Sequence, residues 1–182
     1  MNYYGGKELA ASFRTVRNNT IRVAEEIPES KYGFKAAPEV RSIAQTLVHI
    51  AMGPTFQLHV QQNRFDDLTK VNFQELMAKV TAEEAKPRSK AEVIAFLRDE
   101  GDTFASYLES LPESFLAERV TMPPGGQPST KSRFEMLLSP KEHEMHHRGQ
   151  LMLAERMIGL VPHLTRERTA AQAQTRTAQA GG

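Results

Sequence analysis

From Leu9 onward the chain sets Phe13, Val16, Thr20, Val23 and Ile27 at alternating steps of four and three. Only a helix turns such spacing into one continuous face, since its side chains come round about every 3.6 residues. The stripe predicts an amphipathic helix over residues 6–27, closed by Pro28. After the connector PESKYGFKAAPEVRS, the segment RSIAQTLVHIAMGPTFQLHVQQN (41–63) predicts a second, more deeply buried helix. Gly53-Pro54 lies inside it and should kink it, because proline removes one helical hydrogen bond.

NFQELMAKVTAEEA (72–85) predicts a short helix before the basic connector KPRSK. Ser89 and Glu92 form a capping box for a third long helix, with Val93, Leu97, Phe104, Leu108 and Leu111 on one face. ERVTMPPGGQPST (118–130) breaks all helical periodicity with three prolines and two glycines. It predicts a loop with a short extended piece at 119–122. KSRFEMLL predicts a helical turn or two, and Ser139-Pro140-Lys141-Glu142 reads as a second capping box with proline at the first helical position. That places the last main helix at Pro140 to about Leu160. Four long helices and little strand signal predict an all-α fold, an antiparallel four-helix bundle with a long loop before the last main helix. Residues 1–163 form that domain. The tail 164–182, rich in Ala, Gln, Thr and Arg, carries almost no large apolar side chains and reads as flexible, or as a weak helix leaning on a neighbour.

Composition removes several classes of function. The 23 Lys and Arg against 22 Asp and Glu leave a net charge of +1, which gives no electrostatic reason to expect a nucleic-acid partner. Without cysteine there are no disulfides, no thiolate nucleophiles and no cysteine-based zinc sites. The start MNYYGGKELAASFRTVRNN lacks the basic region and apolar run of a signal peptide. Nor does any apolar run approach the roughly 20 residues of a spanning helix. The expectation is a cytoplasmic protein with no membrane partner.

Chemistry concentrates in SPKEHEMHHRGQL (139–151), which holds three histidines, two glutamates and an arginine. His143 and His147 are four residues apart, one above the other on a face continued by Gln150, Leu151, Ala154 and Ile158. An inward i, i+4 pair of this kind is a ready bidentate metal ligand, or else two core histidines satisfied by hydrogen bonds. His49, on the largely apolar stripe of the second helix with Met52, Gly53 and Phe56, is the best third donor. Two histidines from one helix and one from another would build a three-nitrogen site with open coordination positions. His59 and His163 have no comparable partner and read as surface or loop residues.

His143-Glu144-x-x-His147 also matches the H-E-x-x-H metalloprotease pattern, in which the glutamate is the general base. The histidine-bearing extension is absent, since Arg148, Gly149 and Gln150 follow, and Glu155 lies on the same helix. Glu144 therefore reads as a packing or salt-bridge residue. Arg148 reads as structural, solvated or in an intrahelical pair with Glu144, with recognition of a ligand carboxylate or phosphate, or support of a dimer interface, as the alternatives.

IPESKYGFKAAPEVRSIAQTLVHIA (27–51) resembles the first signature of the DinB-like superfamily, and HEMHHRGQL (143–151) is similar to its second, an H-x-x-x-H pair followed by Arg-Gly-Gln. The resemblance covers roughly residues 9–162. It implies a four-helix bundle, often a homodimer, with a divalent metal, Zn or Ni above others, held by His49, His143 and His147. Related branches are thiol-S-transferases using bacillithiol and mycothiol-dependent maleylpyruvate isomerases. By that likeness the chain would act on a small-molecule substrate with a low-molecular-weight thiol as cosubstrate. A metal-dependent hydrolase and a non-catalytic metal-binding stress protein are the alternatives. The chain departs from the pattern at Pro140, just before the histidine pair, and in the loop PPGGQPSTKSRFEMLLS.

Overall fold

The computed structural model describes residues 4–180. The opening helix α1 spans Gly6–Glu26, and every position of the sequence stripe, from Leu9 through Thr20 to Ile27, is buried. The expected second helix is two: α2 (Ile43–Met52) and α3 (Thr55–Gln62). The chain stays right-handed helical through Gly53 and Pro54, so the break is a kink in the hydrogen-bond ladder that leaves the chain's course helical. Next come α4 (Phe73–Ala85), α5 (Lys90–Glu109) and α6 (Glu113–Ala117). Ser89 and Glu92 cap α5 reciprocally, as their spacing predicts.

The proline-rich segment is flanked by a small antiparallel hairpin, β1 (Arg119–Thr121) with β2 (Thr130–Ser132), in the register Val120 to Lys131. The extended piece at 119–121 matches expectation; its partner at 130–132 replaces the first residues of an expected helical turn. The last main helix, α7, runs Arg133–Met157 and so begins seven residues before the expected Pro140. Its cap is Ser132, whose hydroxyl accepts from the Glu135 amide at 3.1 Å while Glu135 accepts from the Ser132 amide at 2.7 Å. Pro140 is buried inside the helix.

Contacts between side chains and backbone fix the helix directions. Gly6 abuts the Leu108 and Leu111 carbonyls, while Lys90 donates to the Glu25 and Ile27 carbonyls, so α1 and α5 are antiparallel. His49 meets His143, Gln57 meets Ser139 and Gln61 meets Met136, so α2–α3 is antiparallel to α7. Lys141 reaches Ser12 and Arg148 reaches Val16, so α1 and α7 run the same way. Helices α2–α3 and α5 therefore also share a direction, and the chain between Gln62 and Lys90, with α4, is the crossover this requires.

The core follows from the stripes. Phe13 and Phe104 pack edge to face at 4.9 Å, with Leu9, Leu108 and Leu137 around them. A second cluster joins Val23, Ile27, Leu47, Ile50, Leu97 and Leu151. Full burial of each such side chain contributes roughly 1.5–3 kcal/mol. The tail forms α8 (His163–Ala180), tied to α1 by Arg166–Glu26 and Arg22–Glu167 pairs, each 2.6 Å. Residues 1–3, part of the start read for a signal peptide, and 181–182 of the tail lie outside the described residues. Among the described residues no helix is long and apolar enough to cross a membrane.

Candidate metal centre

His49 is set by α2, whose start is locked by Ser42 and Gln45 in a reciprocal cap and whose inner face, Ile43, Leu47 and Ile50, is buried. His143 and His147 lie on consecutive turns of α7. The structure brings the three rings together. His143 Nε2 lies 3.0 Å from His49 Nε2 and 3.1 Å from His147 Nε2. Each residue offers one ligand atom, and the three atoms lie within 4.8 Å of one another. Nitrogens bound about 2.0–2.1 Å from one divalent ion, at right to tetrahedral angles, would lie about 2.9–3.4 Å apart. The two Nε2 separations from His143 fall in that range and the third lies within 4.8 Å, so the chemistry and convergence of the donor set suit such an ion.

The outer nitrogens of two rings have acceptors. His49 Nδ1 is 2.6 Å from Glu84 Oε1, and His147 Nδ1 is 2.8 Å from Gln150 Oε1. A proton on each Nδ1 leaves the inward Nε2 with a lone pair, the tautomer that metal binding needs. The Glu84 carboxylate also accepts from Arg41 at 2.7 Å. Burial of Glu84 opposes its ionisation, but the hydrogen bonds from Arg41 and His49 outweigh it and hold the carboxyl below its usual range. Burial, reinforced by the neighbouring His147 and His49 rings, lowers His143 to about 4, and burial also lowers His147. Both rings are therefore neutral near pH 7.

His143 Nδ1 is buried without a hydrogen-bond partner among the described residues and lies against the kink. A Cβ at Gly53 would stand 3.0 Å from that nitrogen. The bare backbone of Gly53 thus lets the second helix pass this close to the ring.

Other sequence candidates separate clearly. Glu144 does not pair with Arg148: its carboxylate is buried and bound by Arg17, 3.0 Å away on α1. Arg148 instead donates to the Val16 carbonyl at 3.0 Å, a structural tie between α7 and α1. His59 stacks near Phe65 at 5.6 Å, away from the trio. His163, expected at the surface, is fully buried at the root of α8. Glu84 was missed in the sequence. It lies in an acidic run, EEA, at the end of a short, mostly exposed helix, and only the tertiary fold carries it 35 residues back to His49.

A cavity of about 680 Å³ opens beside His147. Phe34, Val40 and Ile43 come from the α1–α2 side and Leu151 and Leu153 from α7, with Arg41 at its edge. That is ample for a small organic molecule. Met52 and Phe56, which share the His49 stripe, do not line it; Phe56 packs against Phe73 at 5.9 Å.

The family model for the DinB superfamily matches residues 12–151. No curated protein matches the chain. Among solved structures, an uncharacterised protein from Clostridium difficile 630 aligns with a TM-score of 0.66 at 14% identity, covering 87% of this chain and 99% of the other. YfiT from Bacillus subtilis, described as a probable metal-dependent hydrolase with an unusual four-helix bundle topology, aligns with a TM-score of 0.66 at 11% identity, covering 88% and 91%. A DinB-like protein from the same organism gives 0.59 at 22% identity, covering 84% and 92%. At these identities the likeness is one of fold.

Proposed function

Because this chain belongs to the DinB superfamily, we propose that it is a divalent-metal enzyme in which His49, His143 and His147 hold the ion, and that it transfers a low-molecular-weight thiol to a small electrophile. One observation carries the reading: three imidazole nitrogens converge, two of them with their outer nitrogens held by Glu84 and Gln150. Three imidazoles suit Zn or Ni. Three protein ligands leave a coordination position open, where a bound ion lowers the pKa of a thiol or of water.

The chain's own residues favour the thiol. Cysteine is absent, so the sulfur comes from a cosubstrate. Glu144, the base that H-E-x-x-H would require, is locked in a buried ion pair with Arg17, and Glu84 is engaged by His49 and Arg41. Water, the weaker acid, depends more on such a base than a thiol does. The cavity beside His147 supplies an apolar wall for the electrophile's body. A second reading, metal-dependent hydrolysis, is favoured by the fold shared with YfiT.

Elemental analysis of untagged protein should find about one equivalent of divalent metal, and none in His49→Ala. Consumption of an electrophilic haloaromatic should need added thiol and vanish in His143→Ala. Turnover of an ester without thiol would turn the assignment toward hydrolysis, and absence of metal from the parent would end it.

A further inference from the structure

Arg17 is a buried cation in the middle of α1, and its guanidinium touches every main helix of the bundle. Nε lies 3.1 Å from both carboxylate oxygens of Glu144 on α7, and Nη2 lies 3.0 Å from Oε2. Nη1 donates to the Leu97 carbonyl on α5 at 2.7 Å, and Nη2 to the Ile50 carbonyl on α2 at 3.2 Å. The Phe13 ring lies 5.1 Å below the guanidinium carbon. Room is made at Gly101, where a Cβ would stand 2.9 Å from Arg17 Cγ.

The two acceptors that matter each adjoin a histidine of the trio. Glu144 follows His143, and Ile50 follows His49. The Ile50 carbonyl is available for a reason: its helical partner would be the amide of residue 54, which is proline and has none. The Gly53 amide bonds it at 3.1 Å in a tightened turn, and Arg17 supplies a second donor. One rigid planar fork thus spans from the kink beside His49 to the residue beside His143. Lysine, with a point charge on a flexible stem, would keep the attraction to Glu144 but not this fixed span.

We propose that Arg17 is a positioning residue for the metal centre: its fork joins Ile50 to Glu144 and sets the distance between the His49 and His143 rings. The proposal rests on the metal-site reading above. It asks of Arg17 more than fold stability, since a buried ion pair can be replaced by apolar residues of similar volume with the fold kept.

The test uses the full chain, stripped of metal and titrated with Co2+, reading the affinity and the visible spectrum of the bound ion, with urea unfolding of the metal-free protein alongside. The paired variant Arg17→Met with Glu144→Leu removes the link without leaving an unpaired charge. It should fold and bind Co2+ roughly 10- to 100-fold more weakly, the usual cost of losing an outer-shell support. Arg17→Lys should fold, bind more weakly and shift the spectrum. Parent-like affinity and spectrum in a folded variant overturn the proposal while leaving the metal site standing. A parent that binds no Co2+ overturns the metal site and this proposal with it. If neither variant folds, the pair is a determinant of folding and the positioning role falls.

Discussion

Helix α7 buries two glutamates eleven residues apart, Glu144 at 1% exposure and Glu155 at 0%, and treats them in opposite ways. Glu144 meets a guanidinium fork and is fully engaged. Glu155 has neither oxygen hydrogen-bonded among the described residues, and both ring nitrogens of buried His163 are likewise without partners. Burial, with the nearby Glu26 carboxylate adding to it and Arg166 and Arg156 opposing, pushes the Glu155 carboxyl up to about 7. One acid is paired with a guanidinium; the other sits where charge is disfavoured. Burial alone therefore says little about what a carboxylate costs. The partner brought from another helix decides it.

The comparison breaks most visibly at Glu144. Glu144→Ala should destabilise the protein by about 3–5 kcal/mol, because it strands the Arg17 cation in the core, and urea unfolding at pH 7 would show it. Less than 1 kcal/mol would mean that water reaches Arg17. Glu155→Gln should act in the other direction, and only at higher pH. Below about pH 4.5 the carboxyl is protonated in both the folded and unfolded chain. From there to about 7 the folded chain keeps a proton that the unfolded chain gives up, so stability falls as pH rises. The glutamine variant should match the parent near pH 4.5 and exceed it by on the order of 3 kcal/mol at pH 8. A gap independent of pH would contradict the raised pKa.

Glu84 extends the comparison to an acid paired for a site. Glu84→Gln should leave unfolding of the metal-free protein almost unchanged and weaken metal binding roughly 10- to 100-fold, as measured by competition with a chelator. The smallest effect is expected at Arg166. Its ion pair with Glu26 is largely exposed, so Arg166→Ala should cost at most about 1 kcal/mol. It should nonetheless move the Glu155 titration upward, because Arg166 opposes the rise in that pKa. Carbonyl-region spectroscopy of labelled carboxyls would register the change.

Much of the bundle was legible because apolar residues repeat with the helical period, and the His143–His147 pair because four residues make one turn. His49 was legible as an imidazole on an otherwise apolar stripe. What escaped depended on contacts between distant segments. Two S-x-x-E patterns precede the histidine pair, at Ser132 and at Ser139, and each is a competent cap on its own. The hairpin decides between them by ending at Ser132, so that Arg133 starts the helix and Pro140 is carried inside it. Arg17 lies outside the apolar stripe of α1, and nothing in its own segment marks it as interior. It is buried because Gly101, eighty-four residues later in the chain, leaves a hollow facing it. His163 joins the interior because α8 is tethered across α1, a docking that the composition of its exposed face does not announce.

The cavity beside His147 is walled on one side by Phe34, Ala36 and Val40, which belong to no helix of the bundle, and on the other by the outward-facing Leu153. Its floor is built from interior helices and its rim from peripheral chain. Selection or engineering can thus reshape what the opening admits at positions 36, 40 and 153 with little disturbance to the imidazoles beneath. The shape of the opening and the arrangement of the histidine trio thus become separately adjustable, so one scaffold can vary its cavity while keeping its centre.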